Sequence, residues 1–338
     1  MEEDTVVTIK DVAVRAGVAP STVSYVLSGS RKISDDTRRA VQAAIDELGY
    51  HPRASARSLR SSRTNVLALA LPRAPGGYHR AVDGRFAIEI SDAARALGYG
   101  VLLMTDQDGV SALRRVAGSG LADGAILMAV EMDDPRIDVV REIGFPTALL
   151  GSTSEGAGLP WTDLDWEAAA ALAVQEAATA GHRNIAYLAT TEDEITARRG
   201  YAVRGVAGAR RGSRETGAHV TVHHSTADMA QLNLRVRALL TAADAPTALV
   251  VQHVSVLPHI LAACAAVGRR VPEDLWVVAV GNLPDDVGGH ELPRIELPVS
   301  EVAGEVTRLA VQAITEGASG DQVPYRLIPP VLLPGRAT

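Results

Sequence analysis

Scarcities in the sequence exclude several classes of protein. The 338 residues include one cysteine, Cys264, so no disulfide framework like that of small secreted proteins can form. Aromatic residues make up only 4% of the chain, which fits the Ala-, Val- and Leu-rich layers of an α/β protein. No apolar run approaches the ~20 residues of a membrane-spanning helix. The acidic N-terminal stretch MEEDTVVTIK does not resemble a secretory signal, so we expect a cytoplasmic protein without a membrane partner.

Catalytic and cofactor-binding motifs are also missing. The chain has no Walker-type loop and no G-x-G-x-x-G loop, which are the usual phosphate and dinucleotide sites. Residue spacing assembles neither a Ser/His/Asp set nor a cluster of metal ligands. We therefore predict that the protein is not an enzyme and binds no cofactor and no metal.

Residues 8 to 60, in contrast, carry a helix-turn-helix pattern followed by a third helix. Thr8 is a good N-cap for a helix over 9–16, whose apolar positions share one face. Gly17 ends this helix, and a short turn leads to a second helix that opens with Pro20. A third helix, capped by Ser34, closes a three-helix core through positions 41, 44, 45 and 48.

The second helix of such a motif lies in the major groove of DNA, where its first residues meet base edges. We expect Val23 and Leu27 to face inward and Pro20, Ser21 and Tyr25 to read bases. The residues predicted to contact DNA from this motif are Thr8, Pro20, Ser21, Thr22, Ser24, Tyr25, Arg31 and Lys32.

The distribution of charge supports a nucleic-acid partner for this segment. Residues 8 to 63 hold ten Lys or Arg and five acids, a net charge of +5, whereas the whole chain has −7. The remainder is therefore strongly acidic. A basic segment on an acidic body attracts phosphates without making the whole protein adhere to nucleic acid.

Two motifs in this segment carry a resemblance to a known family. They are T-x-x-D-V-A-x-x-A-G-V-x-x-x-T-V-S at 8–24 and E-L-G-Y-x-P-x-x-x-A-R-x-L at 47–59. The segment resembles the lactose-repressor type (LacI/GalR) of bacterial transcription regulators. The resemblance implies a hinge that becomes helical on operator DNA, two copies of which enter the minor groove from a dimer. Its predicted DNA-contacting residues are Arg53, where the family usually has Asn, then Ala56, Arg57 and Leu59, whose side chain would wedge between base pairs.

From residue 64 onward, short apolar runs alternate with amphipathic helical stretches. This alternation predicts parallel sheets with helices on both faces, arranged as two lobes around a cleft. The fold class is α/β with an all-α helix-turn-helix head, and the body resembles periplasmic sugar-binding proteins. The expected domains are a head at 1–52, a hinge at 53–63 and a body at 64–338. By the resemblance, lobe one comprises 64–163 and 292–324, and lobe two comprises 164–291 and 325–338.

The expected ligand cleft differs from that of the family. The acids and the arginine that grip sugars or purines in relatives are mostly replaced; Ala197, for example, stands where relatives have Arg. The candidate effector-binding residues are Tyr78, His79, Asp106, Asp165, Trp166, Arg198, Arg199, His253 and Asn282. They leave two alternatives: a small-molecule effector that is not a simple sugar, or a vestigial pocket.

The sequence thus predicts a homodimeric transcriptional regulator, a repressor that binds a pseudopalindromic operator in double-stranded DNA. An effector-independent DNA-binding protein remains the alternative. A solute-binding component of a transporter would share the body, but it would have no helix-turn-helix.

Overall fold

The computed structural model describes residues 7–28, 31–50, 63–71, 80–154, 157–285, 287–317 and 323–335. The chain divides between Thr64 and Asn65 into two compact units, which we call the head and the body. Among the described residues, no helix is long and apolar enough to cross a membrane.

The head contains the three helices expected from the sequence: α1 (Ile9–Ala16), α2 (Pro20–Ser28) and α3 (Asp35–Leu48). The Asp11 carboxylate accepts hydrogen bonds from the backbone N–H of Thr8 at 2.7 Å and from its hydroxyl at 2.6 Å, which fixes the start of α1. The side chain of Ser34 accepts from the backbone of Thr37 at the start of α3. The buried core is formed by Val12, Ala13, Val23, Val41, Ala44 and Tyr50.

One expectation about α2 was wrong. Leu27 is 39% exposed, whereas Val26 packs against the core of the head. The contacting face of α2 therefore follows the i, i+3 step from Val23 to Val26 rather than the i, i+4 step to Leu27.

Lobe one of the body is built on a six-stranded parallel sheet. Its order is β11-β5-β4-β3-β1-β2. The strands are β1 (Val66–Ala70), β2 (Gly100–Met104), β3 (Gly124–Leu127), β4 (Thr147–Leu150), β5 (Trp161–Leu164) and β11 (Tyr325–Ile328). The helices on its two faces are α4 (Ala81–Ala96), α5 (Gly109–Ser119), α6 (Pro135–Glu142) and α12 (Val299–Glu316).

Lobe two has a second six-stranded sheet with the order β12-β10-β9-β8-β6-β7, in which only the β10–β12 pair is antiparallel. The strands are β6 (Asn184–Thr191), β7 (His219–Ser225), β8 (Ala248–Val251), β9 (Trp276–Val280), β10 (Arg294–Glu296) and β12 (Val331–Leu333). The helices are α7 (Trp166–Thr179), α8 (Glu192–Thr196), α9 (Gly200–Thr216), α10 (Met229–Thr241) and α11 (Leu257–Ala266), with a 3₁₀ turn at Val254–Val256.

The sheets place two of the three crossings between lobes later than expected. The first lies at residue 165, close to the expected 163, but the others lie at 297–298 and 329–330 rather than near 292 and 324. The reason is strand pairing: β10 pairs with β9 of lobe two, and β11 pairs with β5 of lobe one.

The segment after β6 forms two helices, α8 and α9, separated by a break at Arg198, whose backbone is left-handed with φ of +53°. The break exposes backbone groups on both sides of Arg198 for contacts with lobe one.

Helices α7 and α9 approach each other closely through a row of glycines. A Cβ added to Gly208 would collide with the carbonyl of Glu167 and lie 2.9 Å from the Cβ of Ala170. A Cβ on Gly212 would lie 2.8 Å from the Cβ of Val174. The packing of these two helices therefore depends on the absence of side chains in α9.

We predict that Gly208→Ala lowers the free energy of unfolding of the body by about 1–3 kcal/mol, the usual effect of overpacking. The matched control is Gly118→Ala, at an exposed position of α5 where an added Cβ meets nothing within 4 Å. Its stability should stay within about 1 kcal/mol of the unchanged chain. Urea unfolding followed by circular dichroism measures the free energy of unfolding of each variant. Equal unfolding midpoints for Gly208→Ala and Gly118→Ala would contradict the prediction.

Candidate DNA-binding surface and interlobe cleft

The outer face of α2 carries the predicted base-reading residues. Pro20, Ser21 and Tyr25 are exposed, and Thr22 and Ser24 are partly exposed. Val23, between them in the sequence, is fully buried and holds the opposite face against the core. The helix therefore presents its N-terminal polar side chains away from the core, as a major-groove helix must.

Of the two cationic residues that follow α2, Arg31 lies beside this face. The guanidinium of Arg31 sits 5.7 Å from the ring centroid of Tyr25, and Arg31, Lys32 and Thr8 are exposed. Arg53, Ala56, Arg57 and Leu59, the predicted hinge contacts, lie outside the described residues.

In the body, the backbone at the break between α8 and α9 joins the two lobes. The N–H of Gly200 donates to the carbonyl of Val130 at 2.9 Å, and the N–H of Met132 donates to the carbonyl of Arg198 at 2.8 Å. Glu131 and Arg199 form an antiparallel bridge between these bonds. The left-handed turn at Arg198 thus lets lobe two pair with the loop that follows β3 of lobe one.

Arginine side chains of lobe two add to this contact. The buried guanidinium of Arg199 donates to the carbonyl of Ala129 and lies 3.4 Å from Glu131. Arg204 donates to the carbonyls of Ser152 and Thr153, both at 3.0 Å. Partly buried carbonyl groups of lobe one therefore accept hydrogen bonds from arginines of lobe two.

A small cavity lies between the lobes next to these contacts. Its volume is about 70 Å³, well below the roughly 300–1,000 Å³ typical of small-molecule sites. Its lining comes from both lobes and includes Arg80, Asp83, Phe86, Asp163, Trp166 and Tyr201. The cleft is therefore largely filled by side chains of the protein itself.

Arg80, immediately before α4, is the side chain that occupies the cleft. Its Nη2 and Nε donate to the carboxylate of Asp83 at 2.7 and 3.2 Å. Across the cleft, its Nη1 lies 3.7 Å from the carboxylate of Glu194. The ring of Tyr201 lies beneath the guanidinium, 4.5 Å from its carbon to the ring centroid.

Glu194 and Tyr201 are held together on the lobe-two side. The Tyr201 hydroxyl donates to Glu194 at 2.5 Å, and Glu194 also accepts from the backbone N–H of Thr191 at 3.4 Å. Burial first, and then the neighbouring Glu194, raise the pKa of Tyr201. The phenol therefore stays protonated and acts as a donor to the carboxylate.

Asp163, at the end of β5, is a further buried acid of the cleft. Its carboxylate accepts from the indole N–H of Trp166 at 2.9 Å and lies 3.6 Å from Arg204. Burial raises the pKa of Asp163 to about 7, against the opposing effects of Arg204 and Trp166. The neutral and charged forms of this carboxyl are thus close in energy at physiological pH.

Of the nine predicted effector residues, only Trp166 is among the described residues that line the cavity. Asp165 instead caps α7 by accepting from the backbone of Ala168 at 2.8 Å. Arg198 forms an exposed ion pair with Asp133 at 3.0 Å. Arg199 takes part in the lobe contact described above, so its guanidinium is already bound.

Other predicted effector residues are bound elsewhere. The amide of Asn282 pairs with both backbone groups of Leu297, at 2.9 and 3.1 Å, and so fixes the second crossing. His253 is buried against the hydroxyl of Ser225, 2.8 Å from Nδ1, and burial lowers its pKa. Asp106 follows the edge strand β2 and pairs with Arg115 at 2.9 Å. Tyr78 and His79 lie outside the described residues.

Sequence reasoning missed the side chains that form the cleft. Arg80 directly follows the predicted pair Tyr78 and His79, and Asp83 comes three residues later, but nothing in the pattern distinguishes them from ordinary residues at the start of a helix. Tyr201 lies two residues after the predicted Arg199, and that proximity was the available signal. Glu194 gave no signal because its side-chain partners Arg80 and Tyr201 lie in the other lobe and in the next helix.

Comparisons with known proteins agree with this architecture. Residues 8–53 match the family described as "Bacterial regulatory proteins, lacI family", and residues 174–338 match a periplasmic binding protein-like domain. Among solved structures, the chain is similar to a lac repressor dimer bound to operator and the anti-inducer ONPF, with a TM-score of 0.82 and 22% identity over 97% of this chain and 98% of that one. That similarity shows the fold.

Curated relatives extend the similarity to the sequence. The transcriptional regulator MalR of Streptococcus pneumoniae is 36% identical over 151 residues, which span 44% of this chain and just under half, 46%, of that relative. The transcriptional regulator CelR of Thermobifida fusca is 30% identical over 91% of this chain and 92% of its own length. A solved complex of CelR with cellobiose has a TM-score of 0.68, at 26% identity over 97% of this chain and 98% of that one. The chain therefore belongs to the lacI family of bacterial regulatory proteins, a family of DNA-binding transcriptional regulators.

Proposed function

We propose that the protein is a cytoplasmic repressor of transcription, a regulator rather than an enzyme, that binds a pseudopalindromic operator as a homodimer. The observation that carries this proposal is the exposed polar face of α2, backed by the buried Val23 and flanked by the exposed cations Arg31 and Lys32. Two such heads related by a twofold axis would read two half-sites of one operator.

We propose a role for each of the predicted DNA-contacting residues. Pro20, Ser21 and Tyr25 meet base edges in the major groove. Thr8, Thr22, Ser24, Arg31 and Lys32 meet the phosphate backbone, where hydroxyls and cations position the helix without reading sequence. In the hinge, Ala56 and Leu59 enter the minor groove, and Arg53 and Arg57 meet flanking phosphates.

The interlobe cleft is the proposed effector site. A ligand there would regulate DNA binding through unequal affinity for two arrangements of the lobes. A sugar such as the cellobiose in the CelR complex is a poor fit, because the cavity of about 70 Å³ is already filled by Arg80. The same observation favours the alternative, a regulator that binds DNA without any effector.

The proposed function predicts that purified protein selects a pseudopalindromic sequence from random or genomic fragments. Affinity for that sequence should fall by roughly 10³- to 10⁵-fold between 50 and 200 mM salt if six to ten phosphates are contacted. Selection identifies the preferred sequence, and fluorescence anisotropy at several salt concentrations measures how the affinity for it depends on salt. Salt-insensitive binding, or no selected sequence, would contradict the proposal.

The assignment of Tyr25 as a base reader predicts a change of specificity in Tyr25→Arg. Arginine can donate two hydrogen bonds to guanine, whereas the tyrosine hydroxyl cannot, so one position in each half-site should gain a guanine preference of about 1–3 kcal/mol. The matched control is Tyr325→Arg, at an exposed tyrosine of the body. Repeated selection with both variants tests the assignment. It fails if Tyr25→Arg selects the same bases as the unchanged chain, or if Tyr325→Arg changes the base preference as well.

A further inference from the structure

We propose that the interlobe cleft is a guanidinium-binding site, that Arg80 fills it as an internal ligand, and that small alkylguanidinium compounds are the class of effector able to take its place. This inference rests on the proposed function in one respect, the use of the cleft as an effector site. The binding site itself rests on the geometry of the body.

The contacts around Arg80 match the chemistry of a guanidinium group. Asp83 accepts two hydrogen bonds from the guanidinium, at 2.7 and 3.2 Å, in the forked arrangement that planar guanidinium and carboxylate groups form. The Tyr201 ring supplies an aromatic face at 4.5 Å. An ammonium group could pair with the negative charge of such a site, but it could not donate two parallel hydrogen bonds to the Asp83 carboxylate.

The two acids of the site require a cation between them. The side chains of Asp83 and Glu194 are only 3% and 1% exposed, and that of Arg80 is 18% exposed. A buried carboxylate without a countercharge is strongly unfavourable. The other donors to Glu194, the Tyr201 hydroxyl and the Thr191 N–H, are neutral.

The requirement for a cation also limits what can replace Arg80. A neutral sugar of any size would leave both acids without a countercharge, whereas an alkylguanidinium would restore each contact that Arg80 makes. The same chemistry explains how an effector could enter a cleft with so little free volume: it would occupy the space vacated by the side chain of Arg80.

The site is shared between the lobes. Asp83 lies in α4 of lobe one, whereas Glu194 lies in α8 and Tyr201 in the first turn of α9, both in lobe two. Any guanidinium bound here therefore pairs charges across the cleft. Arg80 is supplied by lobe one, so the protein can hold the lobes together without a ligand from solution.

The inference is tested with Arg80→Ala, which empties the site and leaves both acids in place. Titration calorimetry with ethylguanidinium should show binding about tenfold tighter to Arg80→Ala than to the unchanged chain, since the internal competitor is gone. N-ethylurea, which has the same shape without the charge, should not bind. The double variant Arg80→Ala/Glu194→Gln should lose most of the affinity for ethylguanidinium.

The matched control is Arg198→Ala, which removes another arginine at the lobe contact, one that is exposed and pairs with Asp133 rather than with the acids of the cleft. It should not gain affinity for ethylguanidinium. If Arg80→Ala does not fold by itself, ethylguanidinium but not N-ethylurea should restore its cooperative unfolding transition. No binding and no rescue, equal binding of the urea, or affinity unchanged by Glu194→Gln would each overturn the inference.

Operator binding by the unchanged chain, measured on the same preparation, separates this inference from the proposed function. Salt-sensitive operator binding without ethylguanidinium binding to Arg80→Ala refutes the guanidinium site alone. Ethylguanidinium binding to the variant, with no DNA binding by the unchanged chain, supports the site and refutes the proposed function.

Discussion

Two buried carboxylates from different lobes share one guanidinium, and the closed arrangement of the body depends on this shared charge. Asp83 and Glu194 would repel each other and lack a counterion if Arg80 were absent, because both are nearly inaccessible to water. The backbone bonds at Val130, Met132 and the α8–α9 break add to the contact between the lobes. Those bonds are short-range and directional, so they favour the same arrangement of the lobes in which the charges pair.

The head and the body differ in where they place their polar side chains. The head is a small core of three capped helices whose outer polar face stays available to a partner. In the body, most of the predicted ligand-binding side chains are already bound to other protein groups: Asn282 to Leu297, His253 to Ser225 and Arg199 to Ala129. A DNA-binding surface needs exposed donors and cations, whereas polar side chains between packed lobes are stabilised by partners within the protein.

The three helices of the head could be predicted from the sequence because their determinants are local. N-caps, the glycine after α1 and the periodicity of apolar residues all act within a few residues, although the inward placement of Leu27 was wrong. The alternation of strands and helices in the body could also be predicted. The positions of the second and third crossings could not, because they depend on which sheets β10 and β11 join. The sequence predicted a cleft between two lobes, but not the side chains that fill it, because Arg80 and Glu194 meet only after both sheets have formed. Comparison with the family pointed to positions such as Asp165 and Arg198, which have other partners in this chain.

A double-mutant cycle measures the interaction between Arg80 and Glu194 across the cleft. The free energy of unfolding would be measured in urea for the unchanged chain, Arg80→Ala, Glu194→Gln and the double variant. We expect a coupling of about 2 kcal/mol or more, with the double variant more stable than the sum of the single effects implies, as for a close buried charge pair. If the single effects instead add to within about 0.5 kcal/mol, Arg80 and Glu194 do not interact directly.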